Sequence, residues 1–156
     1  MSDTQIIIVD KKPNIIVQTP VQTPIISIGI QGPAGPAGSL VYQSFIAGQD
    51  LLGHTPVISN NSFQAIQASN DNITHATSTI GITTQAATQG AIVNVAIEGQ
   101  TITEPSWTWI PNQALFLGLN GTISTTPPTT GFIQQIAIAL SSTKILIRIQ
   151  PAIILV

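Results

Sequence analysis

The chain has 156 residues and a formal net charge of −2, with charged residues making up 6% of it and hydrophobic residues 43%. Soluble domains typically carry about 25% charged residues, so hydroxyls and amides must cover most of this surface. Four Lys plus Arg offer no basic patch for phosphates, which argues against a nucleic-acid partner, and the absence of cysteine excludes disulfides, thiolate metal sites and cysteine nucleophiles.

The length suits one ordinary domain with appendages. Isoleucine, valine and threonine dominate while lysine and glutamate are scarce, a composition that favours strands over exposed helices. No run of about 18 apolar residues is present, so no membrane-spanning helix and no membrane partner are expected. The opening Met-Ser-Asp-Thr-Gln has an acid ahead of a short apolar run, and a secretory signal is not expected there.

Residues 1–28 read as an extended arm. Ile6, Ile7, Ile8 and Val9, then Ile15, Ile16 and Val17, then Ile25, Ile26 and Ile28 form short β-branched runs. Pro13, Pro20 and Pro24 separate or bound them and lack the N–H that a central strand donates. The arm cannot make a core by itself. Its strand-forming pieces suit edge addition to a neighbour's sheet, and their isoleucine content argues against a disordered tail.

Residues 29–40 place Gly29, Gly32, Gly35 and Gly38 at every third position, with Pro33 and Pro36 following two of them. Three polyproline-II chains wound on one axis leave room only for glycine at each third residue. The spacing therefore predicts a collagen-like segment and a homotrimer, against the alternative of a flexible linker. Twelve such residues would span about 37 Å. So short a stalk cannot hold three chains together alone, and the flanking segments must also associate.

From residue 41 to 156 the pattern predicts an all-β domain, a small barrel or sandwich, with turn signals every eight to twelve residues. Thr-rich strand material from Ile73 to Thr84 is broken at Gly81. Val93, Val95 and Ile97 alternate onto one face, and Glu98-Gly99-Gln100 reads as a hairpin-like turn. Trp107 and Trp109, two apart, are placed on one face of a strand as anchors of the core or of a subunit contact. Asn120-Gly121 asks for a tight turn with positive φ. Ile145, Ile147 and Ile149 point one way and are assigned to the core or the trimer contact. Ala152 to Val156 is a final apolar strand, expected to be buried in a sheet or a subunit contact.

Titratable chemistry is sparse. Asp71 and His75 stand four apart, but in a turn followed by strand, where no helical pairing is expected. Asp50 and His54 flank a turn at Gly53. No phosphate loop, nucleophile elbow or HExxH motif occurs, so the reading is of a non-enzyme without metal or cofactor.

The order of an isoleucine- and proline-rich arm, a Gly-Pro-Ala-Gly-Pro-Ala-Gly run and a small β domain resembles tailed-bacteriophage virion proteins of the head-fibre or capsid-decoration kind. The stretches carrying the resemblance are Ala47 to Leu52, Leu115 to Ser124, Pro127 to Phe132, Ile138 to Ser141 and Ile145 to Ile149. The resemblance implies a homotrimer on the capsid surface. Its arms (Ile6 to Val9 and Ile15 to Val17) would dock on the major capsid protein or another virion protein, and its β domains would project outward. The alternative is a tail fibre or receptor-binding adhesion protein, in which the tryptophans stack on host-surface glycan.

Overall fold

A computed structural model describes residues 42–156, and this span is all-β. The arm, the triplets and the expectations attached to them lie outside the described residues. Five strands, β1 (Gln43–Ala47), β2 (Pro56–Ser59), β3 (Gln64–Gln67), β4 (Thr79–Thr83) and β5 (Ile92–Ala96), close on themselves in the order β1-β3-β2-β4-β5. All neighbours are antiparallel except β1 and β3. A second sheet of five strands has the order β6-β11-β10-β7-β8. It is built from β6 (Thr101–Thr103), β7 (Ala114–Leu117), β8 (Ile123–Ser124), β10 (Gln135–Ser141) and β11 (Lys144–Ile147). Between β8 and β10 lies β9 (Phe132–Ile133), which pairs with β12 (Ile153–Ile154) as a ribbon.

Two apolar clusters follow from the alternation of side chains along the barrel strands. Ala47, Val57, Ala65, Val93 and Val95, with Leu51, form one cluster, joined by Phe45 and Ile80. Its residues are small, as the inside of a five-stranded closure requires. The intervening Ile58, Ile82 and Ala96 face the other way and meet Leu115, Leu117, Phe132, Ile136, Ile145 and Ile147 in the larger cluster. The barrel wall thus doubles as one layer of a sandwich.

Four features depart from the sequence expectations. First, Ile73–His75 is a 3-10 turn where strand was expected, and β4 begins at Thr79 and continues through Gly81, with a shift of register against β2 beside it. A Cβ at Gly81 would strike the Ala96 carbonyl and the Val95 side chain, so glycine allows β4 to lie close to β5. Second, the Glu98–Gln100 turn does not close a hairpin. With Gly99 at φ +82, it carries the chain from β5 in the barrel to β6 in the other sheet.

Third, Trp107 and Trp109 lie in an irregular segment between β6 and β7. Pro105 and Pro111 bracket them, and the Trp109 backbone N–H donates to the Ser142 carbonyl at the β10–β11 turn, 2.9 Å, in place of a ladder. Fourth, the C-terminal strand is paired but not buried within its own chain, which leaves a subunit contact as the reading of its apolar residues. Ile153 and Ile154 are 63% and 42% exposed, because β9 offers an edge partner and no covering layer.

Ile145 and Ile147 are fully buried in the larger cluster, and Ile149, beyond the end of β11, is half-buried against it. Phe132 is the largest of the fully buried side chains. Phe132→Ala is expected to lower unfolding free energy by about 3–5 kcal/mol, measured by denaturant titration; a loss below about 1 kcal/mol would show that the two layers close over the gap.

Candidate functional site

The tryptophans are half-buried. Trp107 and Trp109 rest on the larger cluster, their ring centroids 5.8 Å apart and their planes inclined at 55°, so together they form a corner. The His54 ring stands edge-on to Trp107 at 5.0 Å, and its Nδ1 lies 3.8 Å from a Glu104 carboxylate oxygen. The other Glu104 oxygen accepts the Ser106 N–H at 3.0 Å. Hydrogen bonding from Ser106 holds the Glu104 carboxyl below the usual carboxylate range, with His54 adding in the same sense. Two of the non-glycine residues with positive φ, His54 (+59) and Asn120 (+48), line the groove beside this corner. Its volume is about 430 Å³, and Thr55, Gln67 and Thr122 supply further polar groups.

Gly121, at φ +68, forms its floor, since a Cβ there would fall 2.6 Å from Thr55 Cγ2 and 2.7 Å from Gln67 Cγ. The Asn-Gly turn read from the sequence is therefore present, and it presses the β7–β8 connection onto the barrel.

A second depression, of about 540 Å³, adjoins the first and shares Gln67 and Asn120 with it. Ser69, Asp71, Asn72 and His75 line its far part. The Ser69 hydroxyl donates to Asp71 Oδ1 and accepts the Asn120 N–H at 2.9 Å. Asn72 caps the 3-10 turn Ile73–His75 by accepting the Thr74 N–H at 3.1 Å. His75 Nδ1 accepts the Ser69 backbone N–H at 3.0 Å. Because the imidazole receives the amide proton and the hydroxyl proton goes to Asp71, this cluster is not a serine–histidine pair poised for nucleophilic attack. Among the described residues no group of three His, Cys, Asp or Glu could hold a metal ion.

Asp71 and His75 are thus brought into one neighbourhood by a tight turn, with Ser69 between them, where no helical pairing was expected. Asp50 is elsewhere occupied, accepting the Gln89 N–H at 2.8 Å. Gln67 and Ser69 were not singled out from the sequence, and Asn120 was read only as a turn residue. The legible signal was the Asn-Gly turn, but that it lands on β3 depends on long-range packing. Trp109 Nε1 is buried without a hydrogen-bond partner among the described residues. No family model matches the chain, and no curated protein matches it either.

Burial lowers the pKa of His75 below its ordinary 6.5, outweighing the opposite pull of the Asp71 charge. The folded protein therefore binds this proton less readily than the unfolded chain, and stability rises with pH across the window. The contribution is complete above pH 6.5 and is lost as the pH falls below it. His75→Asn keeps an acceptor for the Ser69 N–H and removes the titration. The melting temperature of the native chain should fall relative to this variant as the pH drops below 6.5; parallel curves would exclude His75 as the source.

Proposed function

We propose that the chain is a non-enzymatic, homotrimeric structural protein of a bacteriophage virion, a capsid decoration protein or head fibre docked through residues 1–28. The observation that carries this reading is the run of four glycine triplets, Gly29, Gly32, Gly35 and Gly38, placed between the strand-forming arm and the β domain. Glycine at each third position is what a triple helix demands, and a triple helix sets the number of chains.

The β domain supports the reading with an apolar face of its own. Ile46 and Ile92 pair across β1 and β5, are 42% and 65% exposed, and line a shallow depression with Phe45 and Phe63. Phe63 is 83% exposed and stands at φ +57. Its turn is locked by Asn60, whose Oδ1 accepts the N–H groups of Ser62 and Gln64, both at 2.9 Å. A bulky aromatic held outward on a left-handed backbone is costly and persists where its surroundings over-determine it. This face begins at β1, directly after the triplet segment in the chain, and on a threefold axis it is the surface that three copies would bury against one another. A tail-fibre or receptor-binding role is the second reading, favoured by the Trp107–Trp109 corner.

Native mass spectrometry of the full chain at micromolar concentration should show a trimer. Phe63→Asn, which suits the left-handed backbone, should shift it toward monomer with the circular dichroism unchanged. Gly35→Ala, which puts a methyl on the shared axis, should do the same. A monomeric native chain, or trimers indifferent to both substitutions, would overturn the reading. Deletion of residues 1–28 should abolish incorporation into particles in a phage complementation assay while leaving a soluble trimer; continued incorporation would show that the β domain does the docking.

A further inference from the structure

The two depressions that meet at Gln67 and Asn120 make one trench, with the Trp107–Trp109 corner at one end and the Ser69–Asp71–Asn72–His75 cluster at the other. We infer that this trench is a binding site for a neutral oligosaccharide. A pyranose ring has a face of C–H groups and a rim of hydroxyls that both donate and accept. It therefore asks for an aromatic surface with uncharged two-way hydrogen-bonding groups beside it.

The trench has that distribution. The tryptophan corner supplies the aromatic surface, and amphipathic indoles suit a half-wet, half-dry position. Gln67 and Asn120 stand at the middle, where the amide of each offers a donor and an acceptor. Threonine hydroxyls and the Asp71 carboxylate extend the polar lining in both directions.

The charge pattern narrows the ligand. No lysine or arginine lines either depression, and Asp71 and its exposed carboxylate would repel an acidic sugar. Aliphatic sockets of the kind that anchor peptide side chains are few, Leu52 and Ile73 being the aliphatic side chains longer than alanine at the two far parts except for Ile123 beside the Trp corner.

The backbone is also built for this surface. His54 and Asn120 hold left-handed conformations at the groove, and Gly121 is required where the chain passes over Gln67. Strained residues of this kind cluster where a surface is shaped for a partner. The inference does not rest on the trimer: it applies alike to a decoration protein and to a fibre, and a failed oligomerisation test would leave it standing.

The test titrates the full-length protein with maltotetraose, cellotetraose, mannotetraose and chitotetraose, and with a neutral host cell-wall polysaccharide, reading tryptophan fluorescence and calorimetric heat. Sialyllactose serves as the acidic control. At least one neutral sugar should bind saturably in the millimolar range or tighter and perturb the tryptophan emission. Trp107→Ala and Gln67→Ala should each weaken that binding by about tenfold or more, with unchanged circular dichroism. Should Trp107→Ala misfold, Asn120→Gly, which keeps the left-handed backbone and deletes the amide, decides in its place. Absence of saturable binding to every neutral sugar, preference for the acidic control, or binding that survives both Gln67→Ala and Asn120→Gly would each overturn the assignment.

Discussion

The fold depends on a seam three residues long. Ala68, Ser69 and Asn70 follow β3 out of the barrel, and nearly every backbone group they carry is bonded to a different part of the chain. The Ala68 N–H donates to the Pro56 carbonyl at 2.9 Å, and the Ala68 carbonyl accepts the Gly121 N–H at 2.7 Å. Asn70 reaches the Gly118 carbonyl through its N–H, the Phe132 N–H through its carbonyl and the Thr130 carbonyl through its side-chain amide. All three residues are buried. Buried polar groups are costly unless paired, so these bonds oblige the barrel, the β7–β8 connection and the loop before β9 to meet at one place. Gly131 shows how tight the meeting is, since a Cβ there would collide with the Asn70 carbonyl. The trench on the surface is the outer side of this seam.

What could be read in advance followed the range of the forces involved. Strand character came from β-branched residues, and alternation put Val93 and Val95 on one face and Ile145 and Ile147 in the core, because a strand's side-chain period is a local property. Turn chemistry was equally local, and Asn120-Gly121 has the positive φ its sequence asks for. Pairing was not local. Glu98–Gln100 has the residues of a hairpin turn, but β5 is claimed by β1 and β4 and β6 by β11, so the turn became a crossing between sheets. Gly81 looked like an interruption because a missing side chain weakens an isolated strand; in the barrel the same absence admits a neighbouring backbone. The tryptophans read as strand residues from their spacing alone, whereas the flanking prolines and the Ser142 carbonyl hold them in a loop. The polar half of the trench was illegible for the same reason, being assembled from β3, a 3-10 turn and a connection some fifty residues later.

A second kind of information lies in where the chain accepts strain. Left-handed backbone at His54, Phe63, Asn112 and Asn120 is unfavourable for residues with a Cβ, mildly so for asparagine and more so for phenylalanine. At Phe63 the strain holds an aromatic ring in water on the apolar face of β1 and β5; at His54 and Asn120 it shapes the aromatic groove. The two surfaces have opposite chemistry, one apolar and one rich in amides and hydroxyls.

The poverty of charge has a consequence for how the fold responds to salt. Among the described residues, the His54–Glu104 contact, at 3.8 Å and ionic only when the histidine is protonated, is the one pairing of a basic with an acidic side chain. Cohesion rests on apolar burial and on bonds between amides and hydroxyls, neither of which is carried by long-range Coulomb forces. Mobile ions weaken exposed charge interactions over roughly 10 Å at 0.1 M salt, and here they find little to weaken. A fold held in this way is little sensitive to ionic strength, a variable that charge-stitched structures must tolerate.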